Sequence, residues 1–395
     1  MLLRELEVEK YWSFPAAYTH EKRQVELQHM IESGHYYYQL KTDGNYGAFV
    51  CDFDGQKMLL SRGISKTTND YGHLEDKLFF FDAVASTFNK PTRLIGEVWL
   101  ENGIDRNVGS VLRASTLKSR SIQDNNYYNE IKSTAHFTAK DKRDIETNEF
   151  RGKKLKWRVF DCWYYDGIDL LNTPWIERQK YAAEAVQRIN HPLVTYVSYK
   201  PMTEHFFDEL GTIFASGGEG VVCYKDSGIP EPGARTAHKT LKVKQEIENS
   251  IDCFIIGLIS CEKAYQGSDL PNWDLWENKR TGELVRGQYY EEYQRGAPYE
   301  PISRNYFFNY PGAISVGVYD NNHQIVPLCN VAGLTDDFKT QLRDNFSAWY
   351  MCPLSIGGMM ISTASEAISI RHPHLLTIRK GDIKVEDCTL DKILN

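Results

Sequence analysis

Six short apolar segments in the first 244 residues each begin or end on a charged residue. No other feature constrains the fold as much as this ordered series. The charged words are Lys41 in Lys41-Thr42-Asp43-Gly44, Arg62 in Leu60-Ser61-Arg62-Gly63, Glu97 in Ile95-Gly96-Glu97-Val98, Asp161 in Phe160-Asp161, Glu219 in Glu219-Gly220-Val221-Val222, and the pair Lys242 and Lys244. Segments of this length and composition read as strands. Strands are expected over 35–40, 47–53, 58–60, 94–100, 157–163, 219–224 and 241–244, with Asp54-Gly55 turning the second into the third. Helices alternate with them. One covers 21–33 and is closed by Gly34. A second carries Leu74, Leu78, Phe81, Val84 and Ala85 on one face. A third opens with Thr173 as N-cap and Pro174 as its first helical residue. A fourth runs over about 204–215 and stops at Gly217-Gly218.

The pattern changes after about residue 246. Short strands, glycines and a single clear helix (335–346) follow, with a hairpin of 314–319 and 324–328 about Asp320-Asn321-Asn322. Short strands with one helix suggest a small β-barrel of OB type, and the boundary is placed near 245–252. Two insertions stand out. Residues 102–158 hold 13 Lys/Arg against 7 Asp/Glu. Residues 262–310 are rich in Trp273, Trp276, Tyr289, Tyr290 and Tyr293, with 8 acidic against 5 basic residues between Glu262 and Glu300.

The bulk numbers exclude several classes. A chain of 395 residues with 42% hydrophobic and 25% charged residues is neither disordered nor collagen-like, and has length for two or three domains. No apolar run approaches the roughly 20 residues of a membrane span. The opening MLLRELEVEKYW mixes acids with apolar residues, unlike a signal peptide, so a cytosolic chain is expected. The eight cysteines, at 51, 162, 223, 253, 261, 329, 352 and 388, form no C-x-x-C pair and read as reduced core residues, with neither zinc nor a disulfide framework. A net charge of −7 argues weakly against nucleic acid, since a basic groove can sit on an acidic body. No G-x-x-x-x-G-K-[ST] loop is present, so a nucleotide would not be held in P-loop fashion.

Lys41-x-Asp43-Gly44 alone also suits a surface turn. The whole series, in this order, resembles the covalent nucleotidyltransferase superfamily of ATP-dependent DNA ligases, RNA ligases and mRNA capping enzymes, over about residues 36–389. The resemblance implies an α+β, two-domain protein: a nucleotidyltransferase domain of antiparallel sheets flanked by helices (1–248), then an OB-fold β-barrel (249–395). It implies ATP as AMP donor, Mg²⁺, a lysyl–AMP intermediate and a monomer. Lys41 would be the nucleophile. Lys242 and Lys244 would hold the α-phosphate, and Glu219 the metal. Glu97 would hold the ribose hydroxyls or the metal. Asp43 would lie near the metal or orient Lys41. Phe160 would stack on adenine, with Gln39 and Leu40 beside the nucleotide, and Arg62 would bind the AMP region and the 5′-phosphate of a nick. A lysine attacks phosphorus only as the neutral amine, whose ordinary pKa is about 10.4. Neighbouring cations would lower that barrier.

The C-terminal words Arg371-His372-Pro373-His374, Thr377-Ile378-Arg379-Lys380-Gly381-Asp382-Ile383-Lys384 and Glu386-Asp387-Cys388-Thr389 resemble the last motif of minimal phage and bacterial DNA ligases. This resemblance gives Arg379, assisted by Lys384 or Lys380, the orientation of pyrophosphate. It implies nick sealing on duplex DNA in a bacterial or phage-infected cytosol. The basic insertion would line the DNA channel through Arg106, Arg113, Lys118, Arg120, Lys153 and Lys154. One departure matters: such ligases commonly carry Arg two residues after the motif glycine, and here that position is Tyr46. RNA ligases often lack that Arg. An RNA ligase or capping-type enzyme is therefore the nearest rival, and a non-catalytic nick-binding module the rival of another class.

Overall fold

A computed structural model describes residues 2–14, 20–64, 70–103, 105–234, 236–244, 250–267, 269–362 and 369–394. The chain divides into two compact units, Met1–Lys244 and Gln245–Asn395. Both are mixed α+β with largely antiparallel sheets.

The first unit holds two sheets. One has the spatial order Tyr11–Ser13, Ala237–Lys244, Gly220–Lys225, Tyr36–Leu40, Tyr199–Pro201, and only its first pair is parallel. Helices His20–Ser33 and Phe206–Ala215 press Leu27, Met30, Phe206 and Leu210 onto Tyr38, Val221, Leu241 and Val243 of this sheet. The other sheet runs Tyr71–His73, Lys57–Ile64, Asn45–Cys51, Thr92–Trp99, Lys156–Tyr165, Ile168–Asp169, with Val194–Tyr196 beside Lys156–Tyr165. Its core includes Phe49, Leu59, Leu94 and the fully buried Trp157. Phe80 lies parallel to the Trp157 ring at 6.0 Å. The Trp157 indole N–H donates to the Gly47 carbonyl at 3.0 Å. Each such large buried side chain contributes roughly 1.5–3 kcal/mol through removal of apolar surface from water.

Three local expectations change. The helix drawn through Leu74 and Ala85 is a 3₁₀ turn, Glu75–Lys77, followed by a helix, Phe81–Thr87. The Leu74 amide is spent on the Leu59 carbonyl, so the backbone there serves the sheet edge. The third helix starts at Trp175: Pro174 is extended and acts as N-cap, while the Thr173 carbonyl accepts from Arg178. The basic segment forms four short helices, Asp105–Arg113, Thr116–Gln123, Asn125–Ile131 and Ala139–Glu146, with side-chain caps from Ser115, Asp124 and Thr138 on the last three. Cys51, Cys162, Cys223, Cys253, Cys352 and Cys388 are buried, and burial pushes the thiols of Cys162, Cys223 and Cys253 well above their ordinary value.

The second unit is built on a five-stranded antiparallel sheet ordered Ile325–Val331, Ala313–Tyr319, Ile251–Ile259, Pro353–Ser362, Ser369–Ile378. Helix Asp336–Asp344, capped by the Thr335 hydroxyl, adds Phe338 and Leu342 to its core. Among the described residues no strand pairing joins the two ends, so the path is an open sheet and not a closed barrel. The aromatic insertion folds into its own three-stranded sheet, Leu284–Arg286, Leu275–Asn278, Tyr299–Pro301, around the fully buried Trp276.

Candidate active site

Strand direction brings the charged words together. Tyr36–Leu40, Gly220–Lys225 and Ala237–Lys244 are adjacent and alternate in direction, so the residue after the first, the residue before the second and the last residue of the third meet at one end of the sheet. These are Lys41, Glu219 and Lys244. The Lys41 ammonium sits 2.6 Å from Glu219 Oε2, and the Lys244 ammonium 2.7 Å from Oε1. Burial pushes the Glu219 carboxyl up, but the two ammonium groups outweigh it and hold the group below the usual carboxylate range. Gly220 makes the approach feasible: a Cβ there would lie 2.1 Å from the Val243 carbonyl oxygen, at a φ of +135°.

Lys242 lies two residues before Lys244. Burial and the positive neighbours Arg62, Lys41 and Lys244 push it down to about 8, with Glu97 opposing. Its ammonium stands 5.7 Å from the centre of the Tyr11 ring, and Tyr11 meets Phe160 edge-on at 6.5 Å. Tyr11 has no counterpart among the sequence candidates. It comes from an N-terminal segment anchored by the Arg93 guanidinium, which donates to the Leu3 and Leu6 carbonyls. Gln39 is buried, and its amide nitrogen faces the carbonyls of Val197 (2.7 Å) and Phe160 (3.4 Å) and Gln179 Oε1 (3.0 Å). Leu40 is half exposed. Asp161, next to Phe160, forms a buried two-point pair with Arg178 at 2.8 and 2.9 Å, tying this strand to helix Trp175–Ile189.

Residues 41–44 link the two sheets. A Cβ on Gly44 would lie 2.3 Å from the Val98 carbonyl oxygen and 3.0 Å from Glu97 Cγ, so glycine lets the link pass against the Glu97 strand. Across that second sheet Tyr46, Glu97 and Arg158 form one row. Tyr46 brings no guanidinium, but the row holds one at Arg158, whose Cζ lies 3.7 Å from the Trp99 ring centre and whose Nη1 donates to Thr42 Oγ1 at 3.4 Å. Sequence reasoning passed over Arg158 because it closes a basic stretch; its period-two relation to Phe160 was the available signal.

The remaining candidates make other contacts. Lys118 pairs with Asp141 and Asp144 at 3.0 and 2.8 Å. Arg120 donates to the Asp76 carbonyl and lies over the Phe79 ring. Lys154 lies over the same ring and pairs with Asp124 at 3.4 Å. Arg113 and Lys153 are exposed, and the Arg106 side chain falls outside the described residues. Arg379 and Lys384 belong to the second unit. Arg379 pairs with Asp382 at 2.5 Å and lies 3.8 Å from Asp252. The Lys384 amide faces Asp387 Oδ2 at 3.4 Å. No described helix is long and apolar enough to cross a membrane.

Comparison with known proteins gives the family. The family model for the ATP dependent DNA ligase domain matches residues 17–244. A DNA ligase of Thermococcus fumicolans is 31% identical over 103 residues, and one of Vaccinia virus (strain Ankara) 28% over 119. These stretches cover 26% and 28% of this chain but only 18% and 20% of those relatives' lengths. A solved structure from a study of "DNA binding with a minimal scaffold" in Lig E DNA ligases superposes with a TM-score of 0.52 at 13% identity, over 95% of this chain and 98% of that one, a likeness of fold. The matched region is more than half of the chain and carries the lysine–carboxylate site: the protein belongs to the ATP-dependent DNA ligase domain family.

Proposed function

We propose that this chain is an ATP-dependent ligase that seals nicks in duplex DNA, with residues 1–248 as adenylation domain and 249–395 as an OB-type domain. The observation that carries the reading is the Lys41–Glu219–Lys244 triple, two ammonium groups on one partly buried carboxylate, with the Lys242 ammonium close enough to feel both lysines. Such a concentration of positive charge suits a triphosphate and the charge that develops as pyrophosphate leaves. Lys41 must leave Glu219 and lose a proton before its nitrogen lone pair can attack the α-phosphorus. The P–N bond then forms as the bond to pyrophosphate breaks. AMP passes from Lys41 to the 5′-phosphate of the nick, and attack by the 3′-hydroxyl expels AMP and closes the strand. Lys242 and Lys244 neutralise the α-phosphate, Phe160 and Tyr11 wall the base, and Arg62 faces the AMP and the nick. Arg379, with Lys384, orients pyrophosphate in the first step.

Glu219, Asp43 and Glu97 offer hard carboxylate oxygens of the kind Mg²⁺ takes. The cation commonly uses one or two carboxylates and keeps several waters, which fits a site where no three such groups cluster among the described residues. When bound, it adds positive charge against the phosphates. The proposed setting is the cytosol, with a monomer acting on nicked DNA.

The test is sealing of a singly nicked duplex, with DNA or RNA strands and with ATP or GTP. The reading predicts sealing of nicked DNA with ATP. Sealing confined to RNA, or dependent on GTP, would give the protein to a sister branch of the superfamily.

A further inference from the structure

Arg158 carries a feature that the adenylation chemistry leaves unused. Its guanidinium is half-buried, and desolvation lowers its pKa. Among the described residues no carboxylate lies within ion-pairing distance of it, and its single protein acceptor is Thr42 Oγ1, at 3.4 Å. A desolvated cation without a counter-ion is costly, and the cost is recovered when an anion binds. The group is also held in place. The Trp99 ring centre lies 3.7 Å from its Cζ, and among the described residues the other N–H groups of the fork have no protein acceptor. The acceptor it does hold belongs to the residue after Lys41.

We propose that Arg158, stacked on Trp99 beside Thr42, binds a phosphate of the reactants next to Lys41, and that this phosphate is the 5′-end of the nick. The inference rests on the ligase reading above. Two observations favour the nick over ATP. Lys242 and Lys244 stand on the five-stranded sheet, whereas Arg158 stands on the other sheet, across the Lys41–Gly44 link. Arg158 also ends a cationic run: Lys156, two residues earlier on its strand, lies 5.3 Å from the same Trp99 ring, and Lys153 and Lys154 precede it. That run leads from the basic helical segment to the site.

Arg158→Gln removes the charge but keeps a planar amide for Trp99 and a donor for Thr42; Arg158→Lys keeps the charge and loses the fork. Three quantities are measured: labelling of the enzyme by α-labelled ATP, single-turnover AMP transfer from the purified adenylylated enzyme to a 5′-phosphorylated nick, and the affinity of the enzyme for 5′-phosphate over 5′-hydroxyl nicks. Arg158→Gln is expected to slow transfer about tenfold or more beyond any effect on labelling, the size of one charged hydrogen bond. It is also expected to shrink the 5′-phosphate preference to within about twofold. Arg158→Lys should fall between. A loss confined to labelling overturns the assignment to DNA and gives the guanidinium to ATP. An unaltered 5′-phosphate preference in a folded Arg158→Gln overturns the proposal outright. The binding readout also separates this inference from the ligase reading. A wild-type protein that takes no label, yet prefers 5′-phosphate through Arg158, would sink the enzyme and keep the phosphate site.

Discussion

At the scale of single residues, the site is a set of charges placed by strand ends, and a second buried carboxylate, Glu9, makes a sharp prediction. Glu9 is 5% exposed and accepts from the Glu231 amide at 2.7 Å. Burial, with smaller opposing help from that hydrogen bond, pushes it from 4.5 up to about 7. The folded chain therefore keeps the Glu9 proton up to about pH 7, while the unfolded chain releases it near 4.5. Between these values the folded state binds more protons, so stability falls as pH rises across the window, by on the order of 3 kcal/mol in total. Glu9→Gln should raise the melting temperature at pH 8 and change it little at pH 4; an equal shift at both would show that Glu9 does not titrate in this window. The sequence made Lys41, Glu219 and Lys244 legible as a group because each ends or starts an apolar strand. It gave no hint of Glu9, nor of the partners of Gln39. The acceptors around the Gln39 amide lie 121, 140 and 158 residues away, and only the tertiary fold brings them in.

At the scale of elements, strands were more legible than helices. Tyr36–Leu40, Thr92–Trp99 and Gly220–Lys225 differ from their sequence readings by a residue or two, because apolar runs between turns leave few alternatives. The helix through Leu74 and Val84 read correctly as a buried face, since Leu74, Leu78 and Val84 are all buried. It read wrongly as one helix, because the Leu59 carbonyl and amide compete for Leu74 and Glu75. The aromatic insertion, marked in the sequence only by its Trp and Tyr content, folds as a satellite sheet. The satellite sheet has its own centre in Trp276, whose indole N–H donates to the Trp273 carbonyl at 3.0 Å and whose ring meets Tyr293 at 5.7 Å. Trp276→Ala should cost about 3–5 kcal/mol of local stability, typical of a lost buried aromatic. Hydrogen exchange should then speed up across residues 275–301 and leave the amides of 36–51 unchanged; uniform acceleration over the whole chain would contradict an autonomous satellite.

At the scale of the molecule, the basic helical segment and the lysine-rich sheet end sit in a chain of net charge −7, so local placement of charge decides what is bound. The extended core of the second unit, from Ile251 to Cys388, contains none of the residues that meet around Glu219. The chemistry assigned to the first unit can therefore be tested in the full chain by one covalent event. Incubation with α-labelled ATP and Mg²⁺ should leave one label per chain, mapped to Lys41 and acid-labile as a phosphoramidate is, and Lys41→Ala should take none. Wild-type protein that stays unlabelled, or a label that survives Lys41→Ala, would contradict the account.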